Sequence, residues 1–209
     1  MKFYDFAAAP SPRRVRIFAM EKGLQLPTVQ INLRAGEHLQ PAFRALNPWC
    51  TVPVIELDDG TAISEAGACC LYLEAAHPQP PLFGRDATEK AVIAMWDHRC
   101  EIDGFLAVAE ALRNESKGMV GRALTGPVGY EQIPALAERG KVRVGHFFER
   151  LDERLATTEF VGGGTYSVAD ITAFVSVDFA GWIKLSIPEN LVHLRRWFEA
   201  MKARPSAAA

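Results

Sequence analysis

The sequence predicts an α+β unit followed by an all-helical one. Short apolar runs alternate with helical ones over residues 1–75, strand signals stop after about residue 88, and Pro78-Gln79-Pro80-Pro81 stands between the two regimes. Proline fixes its own torsion and disfavours helix in the residue before it, so this run reads as a stiff extended connection. The predicted domains are therefore 1–78 and 88–209, with a linker at about 79–87.

Phe3-Tyr4-Asp5-Phe6 has a short strand pattern. From Pro12 to Lys22, Val15, Ile17, Phe18 and Met20 recur at near-helical spacing, and Gly23 follows as a stop. Thr28 to Leu33 alternates with period two. After an irregular link, Val52-Pro53-Val54-Ile55-Glu56-Leu57 and Thr61-Ala62-Ile63 flank Asp58-Asp59-Gly60, a hairpin signal. Ser64-Glu65-Ala66 then opens a helix through Ala68, Leu71, Tyr72 and Ala75, so the first unit reads βαβ–ββα. In the second, Ala87 to Glu115, Pro134 to Thr158, Ser167 to Leu185 and Glu189 to Ala203 read as the helices of a bundle, and Val144, Phe147, Leu151 and Leu155 form one apolar stripe. Tyr166-Ser167-Val168-Ala169-Asp170-Ile171 is a helix start in which Ser167 and Asp170 can cap each other's amides and Tyr166 can staple to Ile171.

Composition narrows the function classes. With 23 Lys and Arg against 25 Asp and Glu, the net charge of −2 favours neither nucleic acid nor anionic lipid as a partner. The N-terminus lacks the apolar run of a secretory signal, and the most apolar segment, Ile171 to Ile183, is interrupted by Asp178 and is shorter than the roughly 20 residues that cross a bilayer. Cys50, Cys69, Cys70 and Cys100 have neither metal-site spacing nor disulfide-scaffold density, so reduced thiols in a cytoplasmic protein without a metal are expected.

Three places can carry chemistry. Thr51-Val52-Pro53 precedes a central strand, where Pro53 can be cis and the main chain of Val52 can pair with an extended peptide; an ordinary trans turn is the alternative. Ser64-Glu65-Ala66 offers free amides to a carboxylate and Glu65 to an amine, the two ends of an α-amino acid; equally, Ser64 and Glu65 can simply cap the helix. Ser11 opens the first helix, where it is either an N-cap or a hydroxyl donor to a ligand thiolate, with Arg13 adding positive charge. Trp96, Arg99, Phe105, Arg113 and Asn114 are either core or the wall of a second, apolar pocket.

Ala9-Pro10-Ser11-Pro12-Arg13-Arg14-Val15-Arg16, Gly36-Glu37-His38-Leu39, Asn47 to Ile55, Ile63-Ser64-Glu65-Ala66 and Tyr166 to Ala173 together resemble the successive motifs of cytosolic glutathione S-transferases, theta-like or bacterial in type, in family order. The resemblance implies a thioredoxin-like first domain with Pro53 cis. It implies glutathione as co-substrate rather than a tightly bound cofactor, lying along Val52. The γ-glutamyl end would meet Glu65 and Ala66, and the glycyl end would lie near His38 and Thr51. It further implies Ser11 as the catalytic residue, a homodimer, and a small electrophile in a cleft between the domains. Ala9 stands where many such members carry Ser or Thr, which leaves Ser11 as that loop's hydroxyl, and Ala66 replaces the serine of the family's Glu-Ser pair. The loss of one hydrogen bond to a charged group weakens binding by roughly 1.5–3 kcal/mol. The implied activity is thiol transfer to an electrophile, as in detoxification. A glutathione-dependent peroxidase, disulfide reductase or isomerase would use the same binding features, and a non-catalytic scaffold would keep the fold alone.

Overall fold

The computed structural model describes residues 1–209 and divides into two compact units, Met1–Pro80 with Leu124–Gly129 and Ala209, and Pro81–Ala123 with Tyr130–Ala208. In the first, β1 (Lys2–Asp5), α1 (Pro10–Glu21), β2 (Thr28–Gln30), α2 (Pro41–Leu46), β3 (Val54–Glu56), β4 (Ala62–Ser64) and α3 (Ala66–Ala76) follow in order. The four strands lie in the order β2-β1-β3-β4, with β1 and β2 parallel and the other neighbours antiparallel.

Side chains alternate across a strand, so the sheet has two differently covered faces. Phe3, Ile55, Val15, Phe18 and Leu73 are buried, and α1 packs with α3. A second cluster gathers Ile31, Phe43, Val52 and Val54, with Tyr4 and Phe6 against it, beneath the short α2. The Lys22 ammonium closes α1: it is fully buried and meets the Glu74 carboxylate at 2.5 Å and the carbonyls of His77 and Pro80 at 2.8 and 2.5 Å.

Two local readings change in the fold. β2 stops at Gln30 rather than running to Leu33, because Asn32 turns the chain: its Oδ1 accepts from the N–H groups of Arg34 and Ala35 at 3.1 and 3.0 Å. The link before β3 is not irregular throughout, since Pro41 starts α2 and Asn47 ends it.

The second unit contains α4 (Ala87–Arg99), α5 (Leu106–Glu115), α6 (Pro134–Leu155), α7 (Val168–Phe179) and α8 (Val192–Lys202). The long helix read from Ala87 to Glu115 is α4 and α5 joined by a π-helical turn, Cys100–Phe105. Gly104 sits in that turn against α6, where a Cβ would come within 2.6 Å of the Phe147 ring. The α6 stripe is as read: Val144, Phe147, Leu151 and Leu155 are all buried. The helix ends at Leu155, and the hydroxyls of Thr157 and Thr158 donate to the Arg154 carbonyl.

At the start of α7, the Asp170 carboxylate accepts from the Ser167 N–H and hydroxyl at 3.0 Å each, from the Val161 N–H at 2.8 Å and from Trp197 Nε1 at 3.0 Å. Tyr166 packs edge-on against Phe160, and the Arg204 guanidinium lies over its ring at 3.9 Å. No helix is long and apolar enough to cross a membrane.

Candidate functional site

The strand register brings the candidate residues of the first unit to one end of the sheet. Tyr4 pairs with Val54 and Val54 with Ser64, so the C-terminal end of β1, the N-terminal end of β3 and the C-terminal end of β4 coincide. Parallel pairing of Asp5 with Gln30 adds the end of β2. The chain therefore leaves the sheet at this end toward Ser11, toward His38 and toward Glu65, and enters it there through Thr51, Val52 and Pro53.

At the first of these exits, Ala9 occupies the N-cap position of α1 and Ser11 lies within the first turn, so Ser11 is not the cap. No side chain caps this helix, its prolines have no N–H to contribute, and the Ala9 N–H goes to the Phe6 carbonyl, so the start amide left without a helix partner is that of Ser11. The Arg14 guanidinium, whose residue is 5% exposed, donates from Nη2 to Ser11 Oγ at 3.3 Å. Arg13, which the sequence put forward as the nearby charge, instead turns its Nε to the carbonyl of Ala209 at 3.1 Å. Arg14 was therefore the missed residue. The signal for it was the three-residue offset from Ser11, which places two helical side chains on one face.

The Val52–Pro53 peptide bond is cis. Val52 stands just outside the β3 ladder, and its main-chain N–H and C=O take no partner from the protein. Its predecessor is held in place from behind: Asn47 Nδ2 donates to the Thr51 carbonyl at 2.9 Å and to its hydroxyl at 3.2 Å. An extended peptide laid along Val52 would find one donor and one acceptor waiting.

Glu65 is the N-cap residue of α3 by position, yet its side chain makes no capping hydrogen bond and is exposed. Its φ of 73° is rare outside glycine. Ala66, the first helical residue, is buried. His38 lies half-buried in a 3-10 turn, Glu37–Leu39.

Two family models match the chain: glutathione S-transferase, N-terminal domain, over residues 9–76, and glutathione S-transferase, C-terminal domain, over residues 95–205. The chain is 37% identical to Glutathione S-transferase 2 of Saccharomyces cerevisiae, over 99% of its own length and 87% of that protein. Among solved structures, it superposes with a TM-score of 0.91 on a glutathione S-transferase domain-containing protein of Marinobacter aquaeolei, 39% identical and covering 99% of both chains. A Gtt2-class glutathione S-transferase of Vibrio parahaemolyticus gives 0.84 at 34% identity, over 99% of this chain and 95% of that one. The chain belongs to the glutathione S-transferase family.

In this glutathione S-transferase, the helical residues singled out for a second pocket separate into two groups. Trp96 and Arg99 line a groove of about 810 Å³ along α4 and α6, with Met95, Arg143 and His146, and the Arg154 guanidinium covers the Trp96 ring at 5.2 Å. Phe105 is core, 8% exposed and packed on Phe179 at 5.4 Å. Arg113 donates to the Arg122 carbonyl at 2.9 Å, and burial lowers its pKa. Asn114 is likewise structural, accepting from the Ile133 N–H and donating to the Glu110 carbonyl, each at 2.9 Å.

All four cysteines are buried. Burial pushes the Cys69 thiol up to about 12 and the Cys100 thiol well above its ordinary value, so neither is a thiolate near neutrality.

Proposed function

We propose that this glutathione transferase binds glutathione as an extended tripeptide across the end of its sheet and lowers the pKa of the thiol through Ser11, so that the sulfur attacks a small, hydrophobic electrophile. The domain at residues 1–78 holds the tripeptide, and residues 88–209 form the helical domain. Val52 pairs with the cysteinyl main chain. Glu65 takes the γ-glutamyl amine while the amide of Ala66, at the open start of α3, takes its carboxylate. His38 and Thr51 lie toward the glycyl end, and Trp96 and Arg99 are the remaining candidates for the second substrate.

One observation carries the reading: Ser11 occupies an uncapped first turn and already accepts a hydrogen bond from Arg14. With one lone pair so engaged, the hydroxyl hydrogen is free to point at an acceptor outside the helix, and a sulfur anion there gains both that bond and the positive end of α1. The nucleophile is then the ligand's own sulfur, in keeping with the buried thiols of the protein. In the transfer step the thiolate forms a carbon–sulfur bond while the electrophile's leaving group departs with the electron pair. The protein supplies the ionised, positioned sulfur.

Replacing Ser11 with Ala removes one charge-assisted hydrogen bond, about 1.5–3 kcal/mol. Near-neutral kcat/KM should fall roughly ten- to a hundredfold, each 1.36 kcal/mol being tenfold. The deficit should shrink at high pH, where glutathione ionises unaided. A pH–rate profile identical to wild type would refute the role of Ser11. A melting temperature unmoved by millimolar glutathione would refute the binding site itself. The same reading takes the protein as a cytoplasmic homodimer, which sedimentation equilibrium checks; exposed Leu71 and Met95 are apolar surface available to a second copy.

A further inference from the structure

A closed ring of hydrogen bonds stands behind the loop that leads to Ser11. Asp5 ends β1 and is 1% exposed. Its Oδ1 accepts from Arg16 Nη1 at 2.6 Å, and its Oδ2 accepts from Gln30 Nε2 at 2.7 Å. The same two side chains converge again on one residue: Arg16 Nη2 donates to the Ala7 carbonyl at 2.9 Å, and Gln30 Oε1 accepts from the Ala7 N–H at 2.9 Å. Both main-chain polar groups of Ala7 are thus held from opposite sides, by α1 and by β2, and both holders are anchored on one buried carboxylate.

The loop cannot hold itself in this way. Ala7, Ala8 and Ala9 have no polar side-chain atoms, and apart from the clamp the turn is closed by the Ala9 N–H donating to the Phe6 carbonyl at 2.7 Å. The chemistry at position 30 is restrictive. An amide both donates and accepts, so glutamine bridges a carboxylate and an N–H at once; a carboxylate there would face Asp5 with like charge, and an ammonium has nothing to offer the N–H. Two residues beyond the turn, α1 begins, and Ser11 and Arg14 are placed by where it begins.

We propose that Gln30 and Arg16 are positioning residues for glutathione activation: by clamping Ala7 between them on Asp5, they fix the first turn of α1, and with it the Ser11 hydroxyl, against the ligand's sulfur. This rests on the transferase reading above and adds what holds its central group in place. The charged group of α1 that bears on that sulfur is then Arg14, with Arg13 turned to Ala209 and the Asp5–Arg16 pair behind the loop.

The test measures ionisation of enzyme-bound glutathione by its thiolate ultraviolet absorbance across pH, alongside kcat and KM, in Gln30→Leu and Arg16→Lys. The control is Tyr4→Phe, which removes the 2.7 Å bond from Tyr4 to Glu56 in the same sheet without touching Ala7. The bound thiol should ionise about one pH unit later in both clamp variants, with kcat near neutrality about tenfold lower. The gap should close at high pH, and KM for glutathione should move less than kcat. Tyr4→Phe should lose stability and keep the wild-type thiolate curve. An unshifted thiolate curve in a folded clamp variant overturns the proposal, as does a loss of rate that is equal at every pH and matched by the control. Should Gln30→Leu not fold, Arg16→Lys, which keeps the charge but reaches one partner instead of two, decides alone. If the wild-type protein with glutathione shows no thiolate signal, the glutathione reading itself has failed and this inference falls with it.

Discussion

The starts of α1 and α7 are opposite solutions to one problem. Every helix begins with amides that have no partner in the helix. At α7 the protein closes that end itself, with Asp170 buried among four donors from Ser167, Val161 and Trp197. At α1 no side chain closes it: Ala9 has no capping atom, its own N–H goes to the Phe6 carbonyl, Pro10 and Pro12 have no N–H, and the one hydroxyl in the turn, Ser11, accepts a hydrogen bond from Arg14 rather than from a backbone amide. A self-satisfied helix start stabilises the fold. One that is left open keeps the Ser11 amide, its dipole and its hydroxyl for something that arrives from outside.

The largest expected effect comes from breaking the closed end. Asp170→Ala would strand several buried donors at about 1–3 kcal/mol each, so a loss on the order of 3 kcal/mol or more is expected in urea denaturation. The folded fraction should keep a wild-type kcat, because nothing at Ser11 has changed.

A smaller effect appears in the pH dependence. Burial outweighs the four donors and raises the Asp170 carboxyl from 3.8 to about 6. Between those values the native chain holds a proton that the unfolded chain has released, so this group's contribution is full below about pH 4 and is lost as pH rises through about 6. Measured as melting temperature, wild type should lose stability over that window relative to Asp170→Asn, by up to roughly 2–3 kcal/mol at 1.36 kcal/mol per pH unit. Parallel curves for the two proteins would show that the carboxyl is not shifted upward.

The smallest effect comes from closing the open end. Ala9→Ser supplies the missing cap to α1 and should raise stability by about 1 kcal/mol in denaturant. Stability unchanged by this substitution would mean that the end is already satisfied in a way its geometry does not reveal, and the contrast with α7 would lose its force.

Much of both ends was legible in the sequence, for reasons that differ. Ser167 and Asp170 are three residues apart before an apolar run, and a capping box is a local motif that needs no distant partner. The βαβ–ββα order, the hairpin at Asp59-Gly60 and the helical stripe of Val144, Phe147, Leu151 and Leu155 are equally local, being matters of period and turn chemistry. The motif series identified the family, and Ser11, Val52, Pro53 and Glu65 came with it. Arg14 was not picked out, although the spacing was there, because two adjacent arginines look equivalent until one of them is buried. The same limit affected the helical residues: nothing in the spacing of Phe105, Arg113 and Asn114 distinguished a pocket wall from a core, and only their packing and hydrogen bonds did.

By itself, then, the sequence determined most of the strands and helices, their division into an α+β and a helical part, and the family, because each depends on contacts within a few residues or on motifs read in order. Tertiary structure alone decided which of two arginines meets Ser11, that β1, β2, β3 and β4 bring the first unit's candidate residues to one sheet end, and that Asp5, Arg16 and Gln30 converge on Ala7. The strand pairings among these reach across as many as 54 residues, between Lys2 and Glu56. Only the packing of the whole chain brings such groups within the 3 Å or so over which a hydrogen bond acts.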